Sequence, residues 1–102
     1  MDLEIKKNLT SNWFKMLQES ICYNIKNLEK SNVNFKSTTW KRNQKKDEGG
    51  GEYRILKNGK IFDKVGVKFS KVYGKFPKKF QKNIPGAKKD PRFWASGISV
   101  VM

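Results

Sequence analysis

Few residues of this chain could do chemistry by themselves. The 102 residues contain one cysteine, Cys22, and no histidine. A chain without histidine has no imidazole general base, no histidine-activated nucleophile and no imidazole metal ligand. With one cysteine, no intramolecular disulfide can form and a zinc site is close to excluded. Cys22 is therefore interpreted as a small buried residue on a packing face, and a catalytic cysteine is disfavoured.

A run of three glycines, Gly49 to Gly51, is the second feature with chemical potential. Such a run either forms a flexible linker or lets the backbone approach another group closely. A phosphate-binding loop would need a Gly-Lys-Ser/Thr sequence or a helix after the glycines. The residues that follow have the pattern of a strand, so the run does not indicate a nucleotide site.

The chain carries 23 basic and nine acidic residues, a net charge of +14. This charge favours an anionic partner such as a nucleic acid, a membrane surface or an acidic small molecule. Most of the basic residues are lysines, however, and a solvated lysine surface explains the excess equally well. Arg42 and Arg54 are the side chains best suited to a bidentate carboxylate contact. Arg42 is the candidate of the two, and Arg54 is interpreted as a surface residue.

An amphipathic helix is predicted over residues 11–30. Thr10 or Ser11 can cap its N-terminus, and turn-forming residues follow it. Its apolar residues recur at steps of three and four, with Trp13 and Cys22 beside them. This stripe consists of Phe14, Leu17, Ile21, Ile25 and Leu28.

The clearest hairpin signal is Asn58-Gly59, which lies between two extended runs, residues 53–57 and 60–63. Asn-Gly is a preferred two-residue hairpin turn, because both central positions take positive φ. Residues 64–74 continue as a further strand, with a bulge or bend expected at Gly66. Alternate residues of that strand, Val65, Val67 and Phe69, are predicted to face the core.

Other segments complete an α+β fold with an antiparallel β meander. Residues 35–40 are rich in β-branched and aromatic residues and are typical of a short strand. Residues 75–90 form a predicted loop with a short helix near Pro77 to Gln81. Residues 93–102 form an apolar strand, after which the sequence stops without a polar tail. We therefore expect residues 1–102 to be a single incomplete domain, a fragment of a longer protein.

Several of these residues together resemble a known family, the oxygen-dependent coproporphyrinogen III oxidases. The family pattern reads approximately W-x-R, GGG, VFEKAGVN-S-V-G and FWASGIS, the last followed by a few apolar residues and His-Pro. The order and approximate spacing agree from about Trp13 to Met102. Asp63 and Lys68 depart from the pattern, where Glu and Asn are usual, and the chain has extra lysines between Arg42 and Gly49. The matching residues are Trp40, Arg42, Gly49–Gly51, Asn58–Gly59, Ile61–Val67, Phe69–Ser70, Val72, Gly74 and Phe93–Val101.

The resemblance implies an enzyme of haem biosynthesis. Members convert two propionates of coproporphyrinogen III to vinyl groups, giving protoporphyrinogen IX, with dioxygen as oxidant and release of carbon dioxide and hydrogen peroxide. The implied protein is a homodimer with a large antiparallel sheet flanked by helices. It needs no organic cofactor, and a divalent metal, where one is bound, has its ligands outside this chain. The lack of a signal peptide or transmembrane segment and the single cysteine agree with a cytoplasmic location.

The resemblance also implies site residues. Ser99 matches a serine that contacts the tetrapyrrole substrate, and Arg42 and the Gly49–Gly51 run are further substrate-binding candidates. The segment Ile61 to Ser70 (Ile61, Phe62, Asp63, Lys64, Val65, Gly66, Val67, Lys68, Phe69, Ser70) matches a region of dimer contact. The catalytic residues lie beyond Met102, with His-Pro expected directly downstream. The isolated chain is therefore expected to be inactive.

A second hypothesis comes from the charge alone. A small basic nucleic-acid-binding β module would show aromatic and lysine residues in alternation, as residues 68–73 do. The aromatic residues fall largely at positions predicted to face the core, and this disfavours a nucleic-acid partner.

Overall fold

The computed structural model describes residues 2–102, which form one long helix, one short helix and a four-stranded sheet. Each strand pairs antiparallel with the next, in the order β1-β2-β3-β4. The predicted α+β class with an antiparallel meander is confirmed, as is the short helix that precedes the last strand. The elements are α1 (Leu3–Glu29), β1 (Lys36–Lys41), β2 (Gly49–Lys57), β3 (Lys64–Lys75), α2 (Lys78–Gln81) and β4 (Arg92–Val101).

Helix α1 begins at Leu3, well before the predicted start. Asp2 caps it, and its carboxylate accepts a hydrogen bond from the Glu4 N–H at 2.7 Å. The predicted caps, Thr10 and Ser11, lie inside the helix. The Ser11 hydroxyl donates to the carbonyl oxygen four residues earlier, at 2.9 Å. The prediction was wrong because serine can satisfy its hydroxyl within a helix as well as at its start.

The face of α1 that packs on the sheet coincides only in part with the predicted apolar stripe. Cys22 and Ile25 are buried, but Leu28 is 60% exposed. Three polar residues are buried on this face instead, namely Ser11, Gln18 and Glu29. A buried polar side chain needs hydrogen-bond partners, so the positions of those partners decide how the helix is rotated.

Gln18 shows how this works. Its side-chain Nε2 donates to the carbonyl oxygens of Glu52 in β2, at 3.0 Å, and Val67 in β3, at 3.1 Å. Both acceptors lie near the middle of the sheet, and the residue has no exposed surface. Gln18 therefore faces the sheet, and the helix is turned away from the orientation that apolar spacing alone predicts.

The connection between β2 and β3 differs from the predicted two-residue turn. It spans six residues, from Asn58 to Asp63, and only Asn58 has positive φ, at 60°. The Asn58 N–H donates to the Asp63 carbonyl at 2.8 Å, and the Gly59 N–H donates to the Phe62 carbonyl at 2.9 Å. The predicted strand over residues 60–63 does not form, because the Glu29 carboxylate takes the backbone N–H groups of residues 60, 61 and 62.

Strand β3 forms the centre of the core. Gly66 lies opposite Ile55 in unbroken register, so the predicted bulge at Gly66 is wrong. The predicted alternation is confirmed, since Val65 and Val67 have no exposed surface and Phe69 is 8% exposed. Burial of each such aliphatic side chain stabilises the fold by about 1.5–3 kcal/mol. The core cluster also contains Cys22, Ile25 and Leu56.

Candidate functional site

The sheet has two unlike faces. Helix α1 packs against β3 and β4 on one side, over Val67 and Phe69. Because side chains alternate along a strand, Lys68, Ser70 and Val72 point to the other side. We call this second side the open face, since none of the helices that the structure describes packs on it.

Small residues form the centre of the open face. Strand spacing places these positions within an area of roughly 10 by 7 Å across β2, β3 and β4. With so little side chain above it, the backbone of three strands is accessible to a flat group. One row across the strands consists of Gly51, Ser70 and Gly97, and the next consists of Gly49, Val72 and Ala95.

The glycine run begins β2 and is part of the sheet, so the flexible-linker interpretation is wrong. A Cβ on Gly51 would lie 1.9 Å from the carbonyl oxygen of Phe69. Cβ atoms on Gly49 and Gly50 would each lie 2.1 Å from a carbonyl oxygen of a neighbouring strand. The run therefore allows a close approach, as the sequence suggests, but the group approached is the backbone of the adjacent strands.

A polar row lies beside this centre. One residue from each strand lies opposite the next in this row. From β4 to β1 they are Ser99, Lys68, Tyr53 and Thr38. The four side chains share the open face. The Ser99 and Lys68 side chains are both exposed, and they start from neighbouring positions on β4 and β3 at the edge of the small-residue floor.

Trp40 bounds the floor on the β1 side, opposite Gly51. The Lys68 ammonium lies 4.7 Å from the centre of the Trp40 ring, at a distance typical of a cation–π contact. The indole Nε1 of Trp40 is buried, and no hydrogen-bond acceptor reaches it from residues 2–102. An unpaired buried donor is unusual in a folded protein.

Arg42 lies at the other end of the open face. Its Nη1 donates to Glu48 Oε2 at 3.0 Å and to the Tyr73 carbonyl at 3.1 Å. The guanidinium carbon lies 4.9 Å from the centre of the Phe93 ring, which stacks on Phe76. These contacts hold the β1–β2 connection against β3 and β4. Arg42 is still exposed, so it remains a candidate for carboxylate binding.

Arg54 lies on the α1 side of the sheet, opposite the open face. Its guanidinium donates to Glu19 in α1 at 2.6 Å and to Glu52 in β2 at 3.0 Å. These two carboxylates raise the pKa of Arg54, so the side chain is a permanent cation that ties α1 to the sheet. Burial raises the pKa of the nearby Cys22 thiol, an effect that Arg54 partly opposes. A raised pKa disfavours the reactive thiolate, in agreement with a packing role for Cys22.

The acidic and sulfur-containing side chains of the described residues do not gather at one place. Within residues 2–102, no three His, Cys, Asp or Glu side chains lie close enough together to hold a metal ion. The described residues therefore do not fit a metal centre, and none of the chemistry below is assigned to one. Over the same range, neither helix combines the length and the apolar character needed to span a bilayer.

Comparison with known proteins decides the family. The sequence profile of coproporphyrinogen III oxidase matches residues 9–102. The chain belongs to the coproporphyrinogen III oxidase family. It is 39% identical to the oxygen-dependent coproporphyrinogen-III oxidase of Rickettsia akari, over 93% of this chain and 36% of that protein. The enzyme of the same description from Rickettsia bellii is 39% identical over 94% of this chain and 37% of its own length. The chain therefore spans a little over a third of the relatives that it matches.

Several of the expected site residues lie together. Ser99, Gly49 and Gly51 share the open face, whereas Gly50 lies on the side of α1. The register also brings Lys68 and Trp40 to the same face. The alternation in β3 does place Lys68 on the wet face, but its proximity to Ser99 depends on pairing between β3 and β4, which local patterns do not reveal.

The segment proposed for dimer contact is only partly accessible. Val65, Val67 and Phe69 are buried beneath α1, whereas Ile61 is 64% exposed and Asp63 is exposed.

The buried positions also weaken the nucleic-acid hypothesis. Phe69 belongs to the alternating lysine and aromatic pattern of residues 68–73, yet at 8% exposure it cannot stack on a base.

Proposed function

We propose that this chain forms part of an oxygen-dependent coproporphyrinogen III oxidase of haem biosynthesis. The observation that carries the proposal is the family match over residues 9–102. The relatives named above are described as oxygen-dependent enzymes of this activity, and they match almost the whole chain. Dioxygen is the oxidant in the proposed reaction, and coproporphyrinogen III is the substrate.

The proposed reaction removes one propionate carboxylate at a time. The bond between the carboxyl carbon and its methylene breaks and carbon dioxide leaves, while the other methylene loses a hydride equivalent. The bond between the two former methylenes becomes the vinyl double bond. One dioxygen molecule takes up two electrons and two protons for each propionate and becomes hydrogen peroxide. We assign binding and positioning to the present chain, and proton transfer and electron transfer to parts of the protein outside it.

The open face supports this assignment. A tetrapyrrole ring is large and carries carboxylates on its rim, so it needs an accessible surface bordered by cations and hydrogen-bond donors. Gly51 and Gly97 leave such a surface, Ser99 offers a hydroxyl beside it, and Arg42 lies at its far end. We propose that Ser99 donates a hydrogen bond to the substrate, with Arg42 and the glycine run contributing to the same site.

We also propose that the protein is a cytoplasmic homodimer. The support for dimer contact comes from the exposed part of the segment 61–70, where Ile61 presents an apolar side chain beside Asp63 and Lys64. The support for a reducing compartment is the single free thiol of Cys22.

The experiment that tests the proposed function uses the full-length protein that contains this segment. It is incubated anaerobically and aerobically with coproporphyrinogen III, and protoporphyrinogen IX, carbon dioxide and hydrogen peroxide are quantified. We expect oxygen-dependent turnover with one peroxide per carbon dioxide. The 102-residue chain serves as the control and should show none. Absence of turnover by the full-length protein in air would refute the proposal.

A further inference from the structure

Lys68 holds a cation at the border of the proposed substrate surface. Its ammonium lies 4.7 Å from the centre of the Trp40 ring, so the side chain lies across β2 toward β1. Its neighbours in the row, Tyr53 and Ser99, carry hydroxyl groups and no carboxylate. A lysine side chain is normally mobile, and contact with an aromatic ring restricts it to one region.

This cation has no anionic partner within the part of the chain that the structure describes. The ion pairs formed by residues 2–102 involve other basic residues, such as Arg42 and Arg54, and none includes Lys68. The nearby carboxylate of Glu52 belongs to the other face of the sheet, where Arg54 pairs with it. The open face therefore presents an uncompensated positive charge beside a floor of small residues.

Trp40 provides a second, independent observation. Its indole Nε1 is buried and receives no acceptor from residues 2–102, although buried donors are normally paired. The Trp40 side chain is therefore held in place beneath the Lys68 ammonium, which remains accessible above the sheet. A carboxylate is the group that pairs with such an ammonium.

We propose that Lys68 binds a propionate carboxylate of the tetrapyrrole and that Trp40 positions Lys68. The inference rests on the proposed function, because it assumes that the tetrapyrrole lies on the open face. It identifies Lys68 as a specificity-determining residue that recognises substrate charge. It also assigns Lys68 to the substrate surface and not to the dimer contact.

The test uses full-length protein and coproporphyrin III, the oxidised form of the substrate, which keeps the four carboxylates and cannot be turned over. Fluorescence titration gives its dissociation constant for the wild type, Lys68→Met, Lys68→Glu and Lys36→Met. Lys36 is the matched control, an exposed lysine on the open face of β1 that pairs with Ile55 outside the polar row. We expect Lys68→Met to raise the dissociation constant about tenfold and Lys68→Glu to raise it further, with Lys36→Met within about twofold of the wild type.

Turnover of coproporphyrinogen III by the same proteins separates the two proposals. Normal wild-type turnover together with unchanged binding by Lys68→Met and Lys68→Glu would overturn the assignment of Lys68 alone. Equal losses in Lys68→Met and Lys36→Met would also overturn it, because they would indicate a general effect of charge. Absence of wild-type turnover would overturn the proposed function, whatever the titrations show.

Discussion

Glu29 and Gly59 are in direct contact, although 30 positions separate them in the sequence. A Cβ on Gly59 would lie 2.2 Å from Glu29 Oε1 and 2.6 Å from the Phe62 carbonyl oxygen. Glu29 is the last residue of α1 and is 1% exposed. Its carboxylate accepts from the N–H groups of residues 60, 61 and 62 at 2.7, 2.9 and 2.9 Å. The end of the helix and the β2–β3 connection therefore form one hydrogen-bonded unit.

This contact predicts that Gly59→Ala destabilises the protein. The added methyl group overlaps the carboxylate and a backbone carbonyl, so the connection must move and weaken the hydrogen bonds to Glu29. We expect a loss of about 1–3 kcal/mol in the free energy of unfolding, measured by urea denaturation of the full-length protein. Gly66→Ala is the matched control, because nothing lies within 4 Å of a Cβ there. Equal stability of the two variants would contradict the contact.

The Glu29 carboxylate also predicts a dependence of stability on pH. The Phe62 N–H is the largest cause that lowers the pKa of Glu29, followed by the Ser31 hydroxyl, and the pKa falls from 4.5 to about 2. A carboxyl group with a lower pKa in the folded state stabilises that state when ionised. Its contribution is therefore fully present above pH 4.5 and is lost as the pH falls towards 2.

Urea denaturation of wild type and Glu29→Gln between pH 7 and pH 2 measures this contribution. The difference in the free energy of unfolding should be largest near neutral pH and should shrink below pH 4.5. Glu4→Gln removes an exposed carboxylate from the same helix and should show a much smaller change over this range. A difference between wild type and Glu29→Gln that stays constant with pH would rule out this role.

The pair formed by Arg54 and Glu52 predicts a further effect on stability. Their side chains are 19% and 15% exposed, and Arg54 also reaches Glu19 across the helix–sheet interface. Arg54→Met leaves the largely buried Glu52 carboxylate without its cation, and we expect a loss of about 1–3 kcal/mol. Arg92→Met breaks a pair with Asp90 whose side chains are 75% and 53% exposed, so solvent screens the pair and the loss should be smaller. Thermal denaturation of both variants compares them, and a larger loss for Arg92→Met would refute the distinction.

Local sequence patterns predicted the parts of the fold that depend on neighbouring residues. The alternation of Val65, Val67 and Phe69 correctly identifies the buried face of β3. Asn58 correctly indicates a position with positive φ. Such features depend on periodicity and on backbone preference, which a single sequence carries.

The remaining features depend on contacts between distant residues. Glu29 accepts hydrogen bonds from three backbone N–H groups, so residues 60–63 form a loop where a strand was predicted. The sequence near residues 60–63 does not indicate that Glu29 is their partner. Gln18 likewise faces the sheet because its acceptors lie in β2 and β3. The placement of Lys68 beside Ser99 depends on strand register, so the polar row could not be predicted from local patterns.

Substitution of Gly97 tests whether the substrate contacts the open face. A Cβ on Gly97 meets only the Ser70 hydroxyl, at 3.8 Å, so a small side chain there does not disturb the packing of the sheet. If the tetrapyrrole lies on this surface, Gly97→Val places a branched side chain in its path. We expect the full-length variant to keep its melting temperature within a few degrees, while KM for coproporphyrinogen III rises about tenfold. Gly66→Val is the matched control, since Gly66 is equally unobstructed but lies beyond the polar row, and it should leave KM within about twofold. An unchanged KM in a folded Gly97→Val protein would place the substrate elsewhere, because a substrate lying over Gly51, Ser70 and Gly97 would collide with the added side chain.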